Sequence, residues 1–339
     1  MAIYDINGNV LDSGSGGLLP RENIFLDTVA PYSSTDLAAY SGSVSDFLAE
    51  YDALVTAYPD YVSKTVLGTD QTGTYDICEY HFRPETLGYG NVNFPATETI
   101  NEVELPLIMM QGCIHGDEQA ASYVLMNFMK KVCNNWEDHP TFTFYRWNVE
   151  FRIIPIVNPW GFANNKRTNS NNYDLNRYFN HSDSWLLSNC KEAYIDKQWF
   201  DTYASEAFAF VDYHTAWAGR DRDLAWLISA YDVHENIANS VITTLTRQWK
   251  EQYPSITYDG LMGYTGQSTY IDPQYLTGRN YVYSLGLTNS WTFEFANTFL
   301  NLENTKFGPY TCNAFMDLAA GTLNALAQML GASMNTDLT

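Results

Sequence analysis

Positive charge is scarce in this chain. Lysine and arginine total 18 against 39 aspartates and glutamates, a formal net charge of −21 at pH 7 over 339 residues. So acidic a surface repels polyanions, which excludes nucleic acid and anionic membrane as partners of the bulk surface. The excess serves solubility. Histidine is scarcer still, with 6 in all. The 5 cysteines, Cys78, Cys113, Cys133, Cys190 and Cys312, show no paired spacing. Buried thiols in a reducing compartment are therefore expected, although two disulfides remain compatible with the count. No apolar run approaches the ~20 residues that cross a bilayer. The opening Met1-Ala-Ile-Tyr-Asp5 has no basic region followed by a long apolar stretch, so neither a membrane span nor a secretory signal is expected. Internal repeats are lacking, and low complexity is confined to Ser13-Gly-Ser-Gly-Gly17.

What the chain has is apolar mass, 45% hydrophobic with 15% aromatic residues, enough for a sizeable core. Residues 1–42 read as an irregular arm, with Pro20 and Pro31 as breaks, suited to docking on a partner or on another subunit. Ser43 to Tyr58 reads as a helix: Phe47, Leu48, Tyr51, Leu54, Val55 and Tyr58 form its stripe, Ser43 with Asp46 its cap, and Pro59 its stop. Residues 62–68 and 74–82 alternate around Gln71-Thr-Gly73 as an edge hairpin. Buried strands follow at 105–113 and 151–157, with a helix from Ala120 to Cys133 between them. An aromatic loop and a helix near 191–205 come next. Strands at 208–212, 224–229 and 287–296 and helices at 232–252 and 311–331 complete the pattern. Such alternation predicts one α/β domain over 43–331 with a short tail at 332–339, built on a mixed, mostly parallel twisted sheet with helices on both faces. Functional residues in such sheets collect at the carboxyl ends of strands.

The organising stretch is Gln111-Gly-Cys-Ile-His115-Gly-Asp-Glu118-Gln-Ala-Ala121, where a strand stops and a helix begins. An imidazole and a carboxylate three residues apart can turn toward one point there, a good start for a zinc site, which needs a third ligand from elsewhere. Three further stretches follow in order: Asn158-Pro-Trp-Gly161 leading to Arg167-Thr-Asn-Ser-Asn-Asn-Tyr-Asp-Leu-Asn-Arg177, then Asp212-Tyr-His-Thr215, then Trp291-Thr-Phe-Glu-Phe295. In order, spacing and residue types they resemble the zinc carboxypeptidase family. At His-Gly-Asp-Glu the chain is nearer the murein peptide amidase and aspartoacylase branches than the pancreatic type, which has an arginine before the glutamate.

The resemblance implies one zinc per chain on His115, Glu118 and His214. It implies Glu294 as the base, Arg167 on the oxyanion, and Asn176 with Arg177 on the terminal carboxylate of a peptide or peptide-like substrate. Asp117 is expected to orient His115. A mobile tyrosine over the substrate is left open between Tyr264, Tyr270 and Tyr275. Counting back fifteen residues from Glu294 reaches Arg279, which corresponds to the floor of the side-chain pocket and would favour acidic terminal residues or peptidoglycan stem peptides. The bland alternative is an exposed arginine paired with Asp272. The function expected is hydrolysis of an amide bond beside a free carboxylate. Its rivals are an amidase or deacylase of acylated amino acids and a non-catalytic binding or phage tail appendage protein that retains the fold. The opening Tyr4-Asp-Ile-Asn-Gly-Asn-Val-Leu resembles the starts of some phage tail-associated proteins, so the expected location is cytoplasmic or on a phage particle.

Overall fold

A computed structural model describes residues 43–84, 105–138, 142, 145–147, 149–216, 225–229, 262–264 and 276–296. The expected arm over 1–42, the helices at 232–252 and 311–331, and Tyr270, Asp272, Tyr275 and Cys312 lie outside the described residues. The first helix, α1 (Val44–Ala57), starts where Ser43 Oγ accepts from the amide of Asp46 and buries Val44, Phe47, Tyr51 and Leu54. Strands β1 (Val62–Thr69) and β2 (Asp76–Phe82) form the expected antiparallel hairpin. Its turn holds Gly73 at φ +74°, a backbone that glycine adopts without strain, and is tied by Asp70 Oδ1, which accepts from the amides of Thr74 and Tyr75.

Strand β3 (Leu107–Gly112) is buried at every position, as a central parallel strand should be. It feeds α2 (Gln119–Asn134). Strand β4 (Glu150–Ile154) runs parallel to β3 and leads into α3 (Pro159–Asn164). Then come α4 (Asp183–Asn189), α5 (Lys191–Tyr203), β5 (Ala207–Ala216), β6 (Ala225–Ser229), β7 (Met262–Tyr264), α6 (Gly278–Ser284) and β8 (Ser290–Ala296). The eight strands among the described residues form one sheet in the order β1-β2-β4-β3-β5-β8-β6-β7. Its centre, β4-β3-β5-β8, is parallel, and antiparallel pairs join β1, β2 and β4 on one side and β6 to β8 on the other.

Neighbouring strand residues point to opposite faces, and their partners place the helices. On β2, Tyr80 packs on Tyr51 of α1 and donates to Asp52 at 2.7 Å, while the adjacent Glu79 accepts from Trp199 Nε1 of α5 at 2.9 Å. On β4, Phe151 meets Phe128 of α2, while Arg152 pairs with Glu79 and lies over Tyr203 of α5. Helices α1 and α2 therefore cover one face and α5 the other. Phe210 of β5 packs on Phe200 of α5, so Asp212 leaves β5 on the α5 face.

Two differences from expectation stand out. Helix α4 occupies what reads as an aromatic loop, and β5 runs on to Ala216 rather than ending on His214. The four described cysteines, Cys78, Cys113, Cys133 and Cys190, are buried free thiols, as expected. No described helix is long and apolar enough to cross a membrane.

Candidate metal centre and active site

Three strand ends build the site. His115 follows β3 in the loop that opens α2. Glu118 precedes the first turn of that helix, and the register of parallel β5 and β8 sets His214 beside Glu294. Nδ1 of His115 lies 2.8 Å from Glu118 Oε1, Nδ1 of His214 lies 2.9 Å from Glu118 Oε2, and the two Nδ1 atoms are 3.1 Å apart. One ligand atom from each of the three residues falls within 4.8 Å of the others, and all three residues are buried.

The remaining ring nitrogens are both held by carboxylates. His115 Nε2 is 3.1 Å from Asp174 Oδ1, and His214 Nε2 is 2.7 Å from Asp212 Oδ2. An imidazole whose outer nitrogen faces a carboxylate keeps its proton there and turns its lone pair inward. Two inward nitrogens and a carboxylate are the three-ligand set of a catalytic zinc. The residues present therefore fit the metal. Asp117, expected to orient His115, does not: its Oδ1 has no hydrogen-bond partner, and Asp174 does the orienting. Asp174 is 59 residues from His115, so only the fold reveals the pair. Asp212 had a local signal, because two residues along a strand share a face.

Burial would raise the Glu118 pKa, but His214 and His115 outweigh it and hold the carboxyl well below the ordinary range. Asp174 is likewise held low against its burial by His115, Arg177 and Arg167. For His214, burial would favour the neutral ring, yet Asp212 and Glu118 push its pKa well above the usual value. Burial pushes Glu294 upward, and the nearby Glu118 and Asp212 add to it against His214 and His115.

The arginines rim this centre. Arg167 donates from Nη1 to Glu118 Oε1 at 3.1 Å and from Nε to Asp174 Oδ2 at 2.9 Å. The loop that carries it turns at Asn172, φ +64°, a left-handed position that asparagine tolerates. Arg177 donates to the carbonyl of Asn176 at 2.7 Å and leaves its guanidinium partly exposed. Asn176 is more committed than expected: its Oδ1 accepts from the amide of Gly278 at 2.8 Å, and its Nδ2 lies 3.4 Å from His214 Nε2. Arg279, in the first turn of α6, is 3% exposed and donates to Thr292 Oγ1 at 3.1 Å. The exposed alternative for Arg279 is thereby overturned. Burial lowers its pKa to about 10, opposed by the charges of Asp212 and Glu294 and helped by Arg177, so the guanidinium belongs to the site's field. Tyr264 is described in its backbone only, so the covering tyrosine stays open.

A profile of the zinc carboxypeptidase family matches residues 47–304. The chain belongs to this family. Carboxypeptidase SOL1 of Arabidopsis thaliana is 38% identical over 74 residues, 22% of this chain and 15% of that protein. Carboxypeptidase D of Anas platyrhynchos is 33% identical over 89 residues, 24% of this chain and 6% of that protein. The matched stretch is thus a small part of both relatives. A metallo-carboxypeptidase from Burkholderia cenocepacia superposes with a TM-score of 0.60 at 16% identity, covering 85% of this chain and 70% of the other. That likeness shows the fold. Family and geometry agree on one point: a buried His, Glu, His set stands where it could hold a metal ion.

Proposed function

We propose that the protein is a zinc-dependent carboxypeptidase that hydrolyses the amide bond beside a free terminal carboxylate. The observation that carries this reading is the convergence of His115 Nδ1, Glu118 and His214 Nδ1, with Glu294 adjacent on β8. When bound, one zinc per chain polarises the scissile carbonyl and acidifies water. Glu294, whose raised pKa suits a group that both takes and returns a proton, accepts the proton of the attacking water and passes it to the leaving amine. Arg167 stabilises the oxyanion. Arg177 binds the terminal carboxylate through its partly exposed fork, and Asn176 supports the turn that aims it. Arg279 biases the pocket toward an acidic last residue, such as Glu, Asp or the second carboxyl of diaminopimelate in cell-wall peptides.

The reading is tested by metal analysis of the purified protein beside an assay on a mixed peptide library. About one zinc per chain and release of single C-terminal residues are expected. Undiminished release from a metal-stripped sample under chelator would overturn the proposal, as would a zinc-loaded protein inert on every peptide.

A further inference from the structure

Behind the metal ligands, on the face covered by α5, the carboxylate that holds His214 continues into a polar file whose other members, Gln111 and Asp196, have no role above. Gln111 and Asp212 are register partners on β3 and β5. Their side chains leave the sheet together, and Gln111 Nε2 donates to Asp212 Oδ1 at 3.1 Å. The other oxygen of Asp212 faces Nε2 of His214 at 2.7 Å. Asp196 enters from α5, 1% exposed, with its carboxyl against the Gln111 amide and in the field of Asp212. Neither oxygen of Asp196 has a hydrogen-bond partner, and neither does Oε1 of Gln111. These are three acceptors, buried and without a donor between them, a costly arrangement if Asp196 is ionised. A single proton removes the conflict.

We propose that Asp196 is a neutral carboxylic acid whose O–H donates to Oε1 of Gln111, and that Asp196 and Gln111 are positioning residues for the ligand His214. The reasoning follows the hydrogen-bond polarity along the file. With its oxygen taken by Asp196, the Gln111 amide must turn its NH2 to Asp212. With Oδ1 accepting from that amide, Asp212 turns Oδ2 to Nε2 of His214, where the close contact calls for an N–H on the ring. The ring nitrogen left for a metal is then Nδ1, beside His115 and Glu118. Reversing the Gln111 amide would set its oxygen against Asp212 and weaken every later step. Burial and the charge of Asp212 both push the Asp196 pKa well above the carboxylate range, in line with the unpartnered oxygens, while the Gln111 amide opposes them. The inference rests on the reading of His115, Glu118 and His214 as the metal ligands.

Two substitutions separate the proton from the shape. Asp196→Asn keeps a donor for Gln111 Oε1, and Asp196→Leu keeps bulk without one. Zinc affinity is read by chelator competition, with melting of the metal-free proteins as the control. The expected result is affinity within about two-fold of the parent for Asp196→Asn and ~10-fold weaker binding for Asp196→Leu, at the low end of what losing a ligand's hydrogen-bond support costs. Infrared difference spectra at neutral pH, parent minus Asp196→Asn, should show the carbonyl stretch of a protonated carboxyl. Parent-like affinity in Asp196→Leu, equal losses in both variants, or an ionised carboxylate in the difference spectrum would each overturn the proposal. Should the leucine variant fail to fold, the infrared spectrum and the asparagine affinity still decide. A parent that binds no zinc overturns the ligand reading and the positioning role with it, while the infrared result separately reports whether Asp196 holds its proton.

Discussion

Glu294 is the residue at which chemistry and metal binding can be separated. It sits one strand across from His214 and ligates nothing in the His115, Glu118, His214 set. Glu294→Gln should therefore retain the parent's zinc content while turnover falls by ~10²–10⁴, the usual worth of a positioned base. Parent-like kcat in that variant would remove Glu294 from the reaction. A base works deprotonated, so activity should fall as pH drops through the pKa of Glu294, which burial and the nearby Glu118 and Asp212 raise in the metal-free chain. Arg279 belongs to the same scale. Its burial and its lowered pKa place it in the site's field, and Arg279→Ala should cost ~1–3 kcal/mol on acidic termini while sparing apolar ones. An unchanged ratio of acidic to apolar cleavage would take Arg279 out of the pocket.

Elements hold these residues through backbone contacts that only glycine permits. A Cβ on Gly116 would lie 2.0 Å from the carbonyl carbon of Gly161 and 2.3 Å from the amide nitrogen of Phe162. The loop carrying His115 is thus pressed onto α3, whose first turn is fixed by Asn158 Oδ1 accepting from Gly161 N at 2.9 Å. Gly116→Ala must push loop and helix apart. We expect ~1–3 kcal/mol or more off the unfolding free energy together with weaker zinc binding, measured by urea denaturation of the metal-free protein and chelator competition. Parent values in both would show that the loop yields freely. What was legible in the sequence follows the range of the interaction. Helix α1, the β1–β2 hairpin and the His115 to Glu118 pair are set by neighbours within a few residues, so local pattern shows them. Helix α4 is hidden in the sequence because Trp185, Leu186 and Leu187 are consecutive rather than helically spaced. Accordingly Leu186 is buried while Leu187 is 44% exposed. The carboxylate beside His115 is not legible locally, because the crossover brings Asp174 to its ring across 59 residues, whereas Asp212 lies two residues from His214 on the same strand face.

The whole molecule couples folding, protons and metal in one place. Without metal, His214 lies between Asp212 and Glu118 with its pKa raised. Its contribution to stability is complete below the unfolded value of ~6.5 and is lost as pH rises through the folded one. Glu118 and Asp174 are depressed. Their contribution is present above the unfolded value of ~4 and is lost as pH falls through the folded ones. The metal-free protein should accordingly be most stable between these limits. Zinc requires a neutral His214, so its uptake must expel the proton that the raised pKa retains. Binding should thus weaken as pH falls and release about one proton per chain near neutrality. Because zinc binds the native chain, an excess of ~100 times its Kd should add ~2.7 kcal/mol to stability, seen as a rise in melting temperature of several degrees. Calorimetric titration of the metal-free protein with zinc, repeated in two buffers of different ionisation enthalpy, reads the proton count directly. Identical heats in the two buffers would mean that no proton leaves. His214 would then be neutral before zinc arrives, and the charge assigned to the metal-free centre would be wrong.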